Sequence, residues 1–250
     1  MSISEPRSDY SPLTATPDEV GLTATDLPLQ APLPQLDIPT DLPFVGPDPD
    51  PEPLVAITAA DNGGRIIDLA AYRWAGWPGS RARSVARVEA TQRLRRAVDT
   101  LPNGFGIAVF DAYRPLELQH LIYDSVYAEG DLEPGFVSIP SPSPLTPPPH
   151  LTGGTFDLTL TWRGQALALG TAFDEFTSRA HTRALEETDD YLNRDLRRLL
   201  VHAMRSAGFV AYRAEWWHFE YGTRRWAARW MTTPRYGAAQ PPEPEPEPGG

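Results

Sequence analysis

Thr155-Phe156-Asp157-Leu158-Thr159-Leu160-Thr161-Trp162 alternates strictly, with Phe156, Leu158 and Leu160 on one side and Asp157, Thr159 and Thr161 on the other. That period of two predicts a β-strand with an acid opposite its apolar face. Upstream, Gly106-Ile107-Ala108-Val109-Phe110-Asp111 is a continuous apolar run that reads as a buried strand. Around these strands the period becomes helical. Ser84 to Leu101 spaces Val85, Val88, Leu94, Val98 and Leu101 along one face of an amphipathic helix that Asn103-Gly104 stops, and Pro115 suits the first turn of a helix to about Ala128. Downstream, Asp190 to Ala207 predicts another helix, capped by Gly208, and the aromatic run Val210 to Tyr221 reads as a strand. The prolines of 140–149 form a loop. The chain is therefore expected to mix α and β.

The 250 residues include 22 Arg and no Lys, 33 Asp plus Glu, and no Cys, for a formal net charge of −11. Ten of the acids lie in residues 1–53 against Arg7 alone, and three Glu in 237–250 face no base, so the segment between is about neutral. Residues 1–53 also scatter single hydrophobics such as Leu33, Leu36 and Ile38 at no regular period, and Pro241 to Pro248 alternates Pro with Glu. Both ends are expected to be disordered tails, 1–53 and 237–250, flanking one folded domain at 54–236. Absence of Cys excludes a disulfide scaffold, a thiolate metal site and a cysteine nucleophile. The domain has no basic excess for nucleic acid, and neither a membrane-length apolar run nor a signal peptide is evident, which points to a cytoplasmic chain without a membrane partner.

Of five histidines, His120, His181 and His202 sit among polar neighbours and read as surface residues. His150 precedes Gly153-Gly154, with Asp157 seven positions on, and His218 follows Glu215 by three. Two imidazoles and one carboxylate are the protein half of a catalytic zinc site, with the fourth position left to water. Glu215 is then the candidate general base, provided a bulge, twist or strand end brings it to the same side as His218. Arg114, at the end of the 107–111 strand, is placed to steady an oxyanion. Taken singly, each piece has a plainer reading: a loop hydrogen bond for His150 and Asp157, a core aromatic stretch around His218, and a salt-bridged turn for Asp111 to Pro115.

In this order the pieces resemble the D-alanyl-D-alanine dipeptidase family of zinc metallopeptidases. The family's D-G-Y-R-P is matched by Asp111-Ala112-Tyr113-Arg114-Pro115, its zinc motif by Pro148 to Leu160, a further motif by Leu169 to Asp174, and the last by Asn193-Arg194, Ala207-Gly208-Phe209 and Glu215 to Phe219. The resemblance implies an α+β fold, a small antiparallel sheet with flanking helices forming a zinc cleft. It implies one zinc ion per chain on His150, Asp157 and His218, Glu215 as general base and acid, Arg114 stabilising the tetrahedral intermediate, and Asp174 binding the ammonium of a small dipeptide such as D-Ala-D-Ala. Pro148 replaces the motif's Ser, Thr155 its Ala and Ala112 its Gly. The other readings are a D,D-carboxypeptidase or peptidoglycan-fragment peptidase of the same fold, and a non-catalytic zinc-containing cell-wall-binding module.

Overall fold

The computed structural model describes residues 6–36, 41–47, 49–59, 63–128, 132 and 135–240. In chain order its elements are β1 (Leu54–Ala56), β2 (Ile66–Asp68), α1 (Ala71–Ala75), β3 (Val85–Arg87), α2 (Val88–Thr100), β4 (Phe105–Asp111), α3 (Leu116–Val126), β5 (Thr155–Trp162), β6 (Gln165–Ala166), α4 (Tyr191–Ser206), β7 (Val210–Ala211), β8 (His218–Glu220) and α5 (Arg224–Trp230).

β5 is the predicted alternating strand, and it lies at the centre of the main sheet, whose order is β2-β4-β5-β8-β7 with β6 also paired to β5. All of its residues are buried, because elements cover both of its faces. Phe156 meets Phe209 just beyond α4, so the apolar side of the strand faces the helices. Helices α2 and α4 pack on each other and against β4 and β5. Their heptad-like spacing buries Ala90, Leu94, Ala97 and Val98 from one helix and Leu196, Leu199, Leu200, Ala203 and Met204 from the other. The Asp157 side is left for the site.

Three expectations change. The sheet is mixed, not antiparallel throughout: β2 pairs parallel with β4, because α1, β3 and α2 form the crossover that returns the chain in the same direction. The helix expected from Ser84 begins at Val88, because residues 85–87 find distant partners: Tyr113 N donates to Val85 O, Arg87 N to Gly153 O, and the strand pairs with β1. The Val210 to Tyr221 strand is broken into β7 and β8 with a turn between them.

The acidic segment expected to be disordered over 1–53 also differs wherever it is described. Tyr10, Leu22, Leu33 and Val45 are buried. Ala15 N donates to Ala166 O and its carbonyl accepts from Ala168 N, while Arg235 pairs with Asp50 at 3.0 Å. Its buried hydrophobics show no period because the backbone between them borrows partners from the domain instead of forming regular elements of its own, while Leu29 and Phe44 stay exposed. At the other end Tyr236 is fully buried and Ala239 N donates to Leu151 O, so packing continues past 236. Residues 241–250 of the expected C-terminal tail lie outside the described residues. No described helix is long and apolar enough to cross a membrane.

Leu22 tests the packed segment. Leu22→Ala should lower unfolding stability by about 2–5 kcal/mol in denaturant titrations, the usual loss for a fully buried leucine, whereas a free tail would register no change.

Candidate metal centre

Strand register assembles the centre. Asp157 on β5 stands opposite His218 on β8 and, across the other edge, opposite Asp111 on β4, so three polar side chains come into one row. His150 joins them from a short 3-10 turn, His150–Thr152, that leads into β5. The two glycines that follow are required by space. Gly153 has φ +73° and a Cβ there would lie 2.4 Å from Leu54 Cδ2, while one on Gly154 would lie 2.2 Å from the Tyr221 carbonyl oxygen.

Asp157 bridges the imidazoles. Its Oδ2 is 3.2 Å from His150 Nε2 and its Oδ1 is 2.9 Å from His218 Nδ1, and one ligand atom from each of the three residues lies within 4.8 Å of the others. His150 Nδ1 is 2.6 Å from the Ala112 carbonyl, so that nitrogen donates and Nε2 presents its lone pair inward. All three side chains are buried. Two neutral nitrogens and a carboxylate converging in the interior fit a divalent transition metal, zinc above all.

The break between β7 and β8 answers the question of facing. Glu215 sits in the turn, where His218 N donates to its carbonyl at 3.3 Å, and a turn brings residues three apart together as a flat strand does not. Glu215 Oε2 therefore lies 3.5 Å from His218 Nδ1. Arg114 leaves β4 and is fully engaged: Nε donates to Asp111 at 2.8 Å, one terminal nitrogen to Gln119 Oε1 at 3.0 Å, the other to Tyr72 at 3.2 Å and Asp157 at 3.3 Å. The salt-bridged turn is present, and the same arginine also lines the cavity beside Asp157. Asp174 adopts φ +55°, in the left-handed region that Asp tolerates better than most residues, and accepts from the Tyr72 hydroxyl at 2.8 Å. Behind it Phe173 stacks on Phe110 at 4.5 Å and meets Tyr10 at 5.1 Å.

All six residues singled out from the sequence line one small cavity of about 20 Å³, joined by Tyr72, Gln119, Phe136, Val137, Ser138 and Phe176. Val137 and Ser138 also border a larger cavity of about 620 Å³. Tyr72 and Gln119 in the lining, and Asp111 beside Arg114, are additions that the motifs do not single out. Asp111 and Gln119 were detectable as neighbours of Arg114 in the chain, but no local pattern marks Tyr72. His202 bonds to the Ala31 carbonyl, away from this cavity.

Charge in the cluster is unbalanced: Asp111, Asp157, Asp174 and Glu215 surround a single guanidinium. Burial opposes ionisation of Asp157, yet the two imidazoles outweigh it and hold this carboxyl below the usual range. Burial raises Asp174 to about 7 against the pull of Arg114, and raises Glu215 to about 8 against that of His218, with neighbouring carboxylates adding to both shifts. A buried set of acids in this state suits cationic guests.

Residues 79–235 match the Peptidase M15 family, described as D-ala-D-ala dipeptidase. The chain is similar to a D-alanyl-D-alanine dipeptidase of Synechocystis sp., at 33% identity over 187 residues covering 61% of this chain and 74% of that protein. It is similar to one of Escherichia coli at 29% over 174 residues, covering 69% and 79%, and to one of Enterococcus faecalis at 26% over 137 residues, covering 47% and 62%.

The shift at Asp174 has a measurable sign. Its ordinary value is 3.8 and its folded value about 7, so between these the folded chain keeps a proton that the unfolded chain has lost, and stability falls as pH rises through that window. Asp174→Asn removes this loss. With chelator present, the melting temperature of the variant relative to wild type should climb between pH 4 and pH 7; a constant difference would contradict the assignment.

Proposed function

We propose that this chain, which belongs to the D-Ala-D-Ala dipeptidase family of metallopeptidases, hydrolyses D-alanyl-D-alanine or a closely related short D-amino-acid dipeptide with a zinc ion held by His150, Asp157 and His218. The observation that carries this reading is the meeting, in one buried cavity, of that ligand set with an unligated Glu, an Arg and a second acid. A structural metal site needs none of the last three.

Zinc in such a site supplies Lewis acidity, bringing the pKa of water in its open position toward about 7 and polarising a carbonyl. Glu215 takes the proton from the attacking water and gives it to the departing amino nitrogen. Its burial keeps it a weak enough acid to do both, and a cation beside it moves its pKa back down. Arg114 donates to the oxygen that gains charge in the tetrahedral intermediate. The terminal nitrogen with the longer bonds, to Tyr72 and Asp157, is the one that turns to this oxygen, while Nε and the other terminal nitrogen stay tied to Asp111 and Gln119 and orient the side chain before substrate arrives. Asp174, steadied by the Tyr72 hydroxyl, receives the substrate's free ammonium. An acylated amine offers no charge there and leaves a buried carboxylate unpaired, which is how a dipeptide is preferred over a longer chain.

A cavity of about 20 Å³ holds roughly one water, so a dipeptide enters by parting the side chains of Phe136, Val137 and Ser138 from it. Pro148, where the family motif has Ser, has no hydroxyl to offer a substrate; its carbonyl accepts from Leu151 N at 3.1 Å and its side borders the larger cavity. This substitution favours a related dipeptide as readily as D-Ala-D-Ala itself.

The test is hydrolysis of D-Ala-D-Ala, L-Ala-L-Ala and N-acetyl-D-Ala-D-Ala by the full chain with zinc. Only the free D,D-dipeptide should be cleaved, and Glu215→Gln should lower kcat by about 10²–10⁴-fold. Dialysis against chelator should abolish turnover, and one equivalent of zinc per chain should restore it. Equal cleavage of the acetylated substrate would replace this reading by a carboxypeptidase.

A further inference from the structure

His218 lies between two carboxylates. Its Nδ1 faces Asp157 inside the cavity, and its Nε2 is 3.0 Å from Glu220 Oε1 on the outer side. Glu220 is two residues along β8, so its side chain shares the strand face of His218, and it is fully buried. The first turn of α5 holds it. The Thr223 hydroxyl donates to Oε2 while Thr223 also caps the helix, and Arg225 pairs with Oε1. Arg225 in turn lies over the Tyr212 ring at 4.0 Å, and that ring is 5.6 Å from His218. None of these groups belongs to the six residues already assigned.

A neutral imidazole has a single N–H. Both nitrogens face a carboxylate, so the choice falls to the cation: with a metal ion held beside Asp157 and His150 the lone pair must lie on Nδ1, and the proton goes to Nε2, where the anchored Glu220 accepts it. His150 is arranged the other way round, its Nδ1 donating to the Ala112 carbonyl and its Nε2 facing inward. The two rings thus meet the cavity through different nitrogens: Glu220 stands 3.0 Å behind His218, whereas His150 has the Ala112 carbonyl at 2.6 Å and the Asp111 carboxylate farther off at 3.5 Å. A carboxylate acceptor makes an imidazole a stronger donor to a cation than a carbonyl does. Burying that carboxylate is costly unless it is paired, and Arg225 and Thr223 supply the pairing.

We infer that Glu220 is a positioning residue: braced by Arg225 and Thr223, it fixes the tautomer of His218 and strengthens its Nδ1 as a metal ligand. This rests on the metal reading proposed above. The experiment measures zinc affinity of the full chain by competition with a chromophoric chelator, together with the thermal unfolding of each metal-free protein. Glu220→Gln keeps an acceptor but no charge and should weaken zinc binding about 10-fold; Glu220→Ala should weaken it toward 100-fold. Wild type carrying 15N-histidine and loaded with zinc should show His218 bound through Nδ1 with its proton on Nε2, a readout that needs no variant to fold. Tight zinc binding by wild type with an unchanged affinity in Glu220→Gln, or coordination through Nε2, overturns the role of Glu220 alone. No zinc uptake by wild type overturns the metal reading and this inference with it.

Discussion

The Asp157 carboxylate, buried and shared among His150, His218 and Arg114, is the contact on which the molecule is organised. Removing an ionised group from water costs several kcal/mol unless polar partners or cations replace the lost hydration, and here the three partners must come from three separate stretches of chain. The sheet register supplies one, the turn before β5 another, and the end of β4 the third. That explains why so much of the chain is spent on frame: the helices on the far side of β5 and the glycines at its start keep donors and acceptor from drifting apart. Arg197 does similar work at a distance. Fully buried on α4, it donates to the carbonyls of Leu169, Arg179 and His181 and so fixes the segment that bears Asp174.

Much of this was legible in the residues, for physical reasons that differ from place to place. Thr155 to Trp162 announces itself because alternation survives burial on both faces. His150 and Asp157 are close in sequence, and Gly153-Gly154 between them mark a left-handed turn and a tight approach. The turn at Glu215 was invisible because β-propensity in an aromatic run says nothing about where the strand breaks; only the demand that Glu215 and His218 share a side hinted at it. Tyr72 was missed because it acts across 102 residues, through its hydroxyl to Asp174, and leaves no local pattern. The parallel pairing of β2 was missed because β2 is only three residues long, too short for any period.

The charge of the cavity ties structure to the proposed chemistry. Four acids around one guanidinium leave Asp174 and Glu215 at about 7 and about 8, close to the point where each exchanges a proton easily. A divalent ion and an ammonium group are the two guests that relieve this repulsion, and a free dipeptide brings one of them. On the proposed function, affinity for substrate and affinity for metal would both draw on the same electrostatic deficit. A neutral peptide segment of similar size relieves nothing.

The N-terminal segment has a consequence for how the chain is made. Several of its partners come late in synthesis: Ala15 pairs with Ala166 and Ala168, and the Ala31 carbonyl accepts from His202 on α4. As the polypeptide leaves the ribosome, Tyr10 meets Tyr72 and Trp77 early, but the stretch holding Ala15 and Ala31 has no such partner until most of the domain has followed, and contacts of such long range form slowly. During that wait, the features that make 1–53 look unstructured are protective. Its acids repel other copies, its prolines block strand pairing, and its isolated hydrophobics offer no sticky run. A composition resembling that of a permanent tail is also what a latecomer to the fold requires.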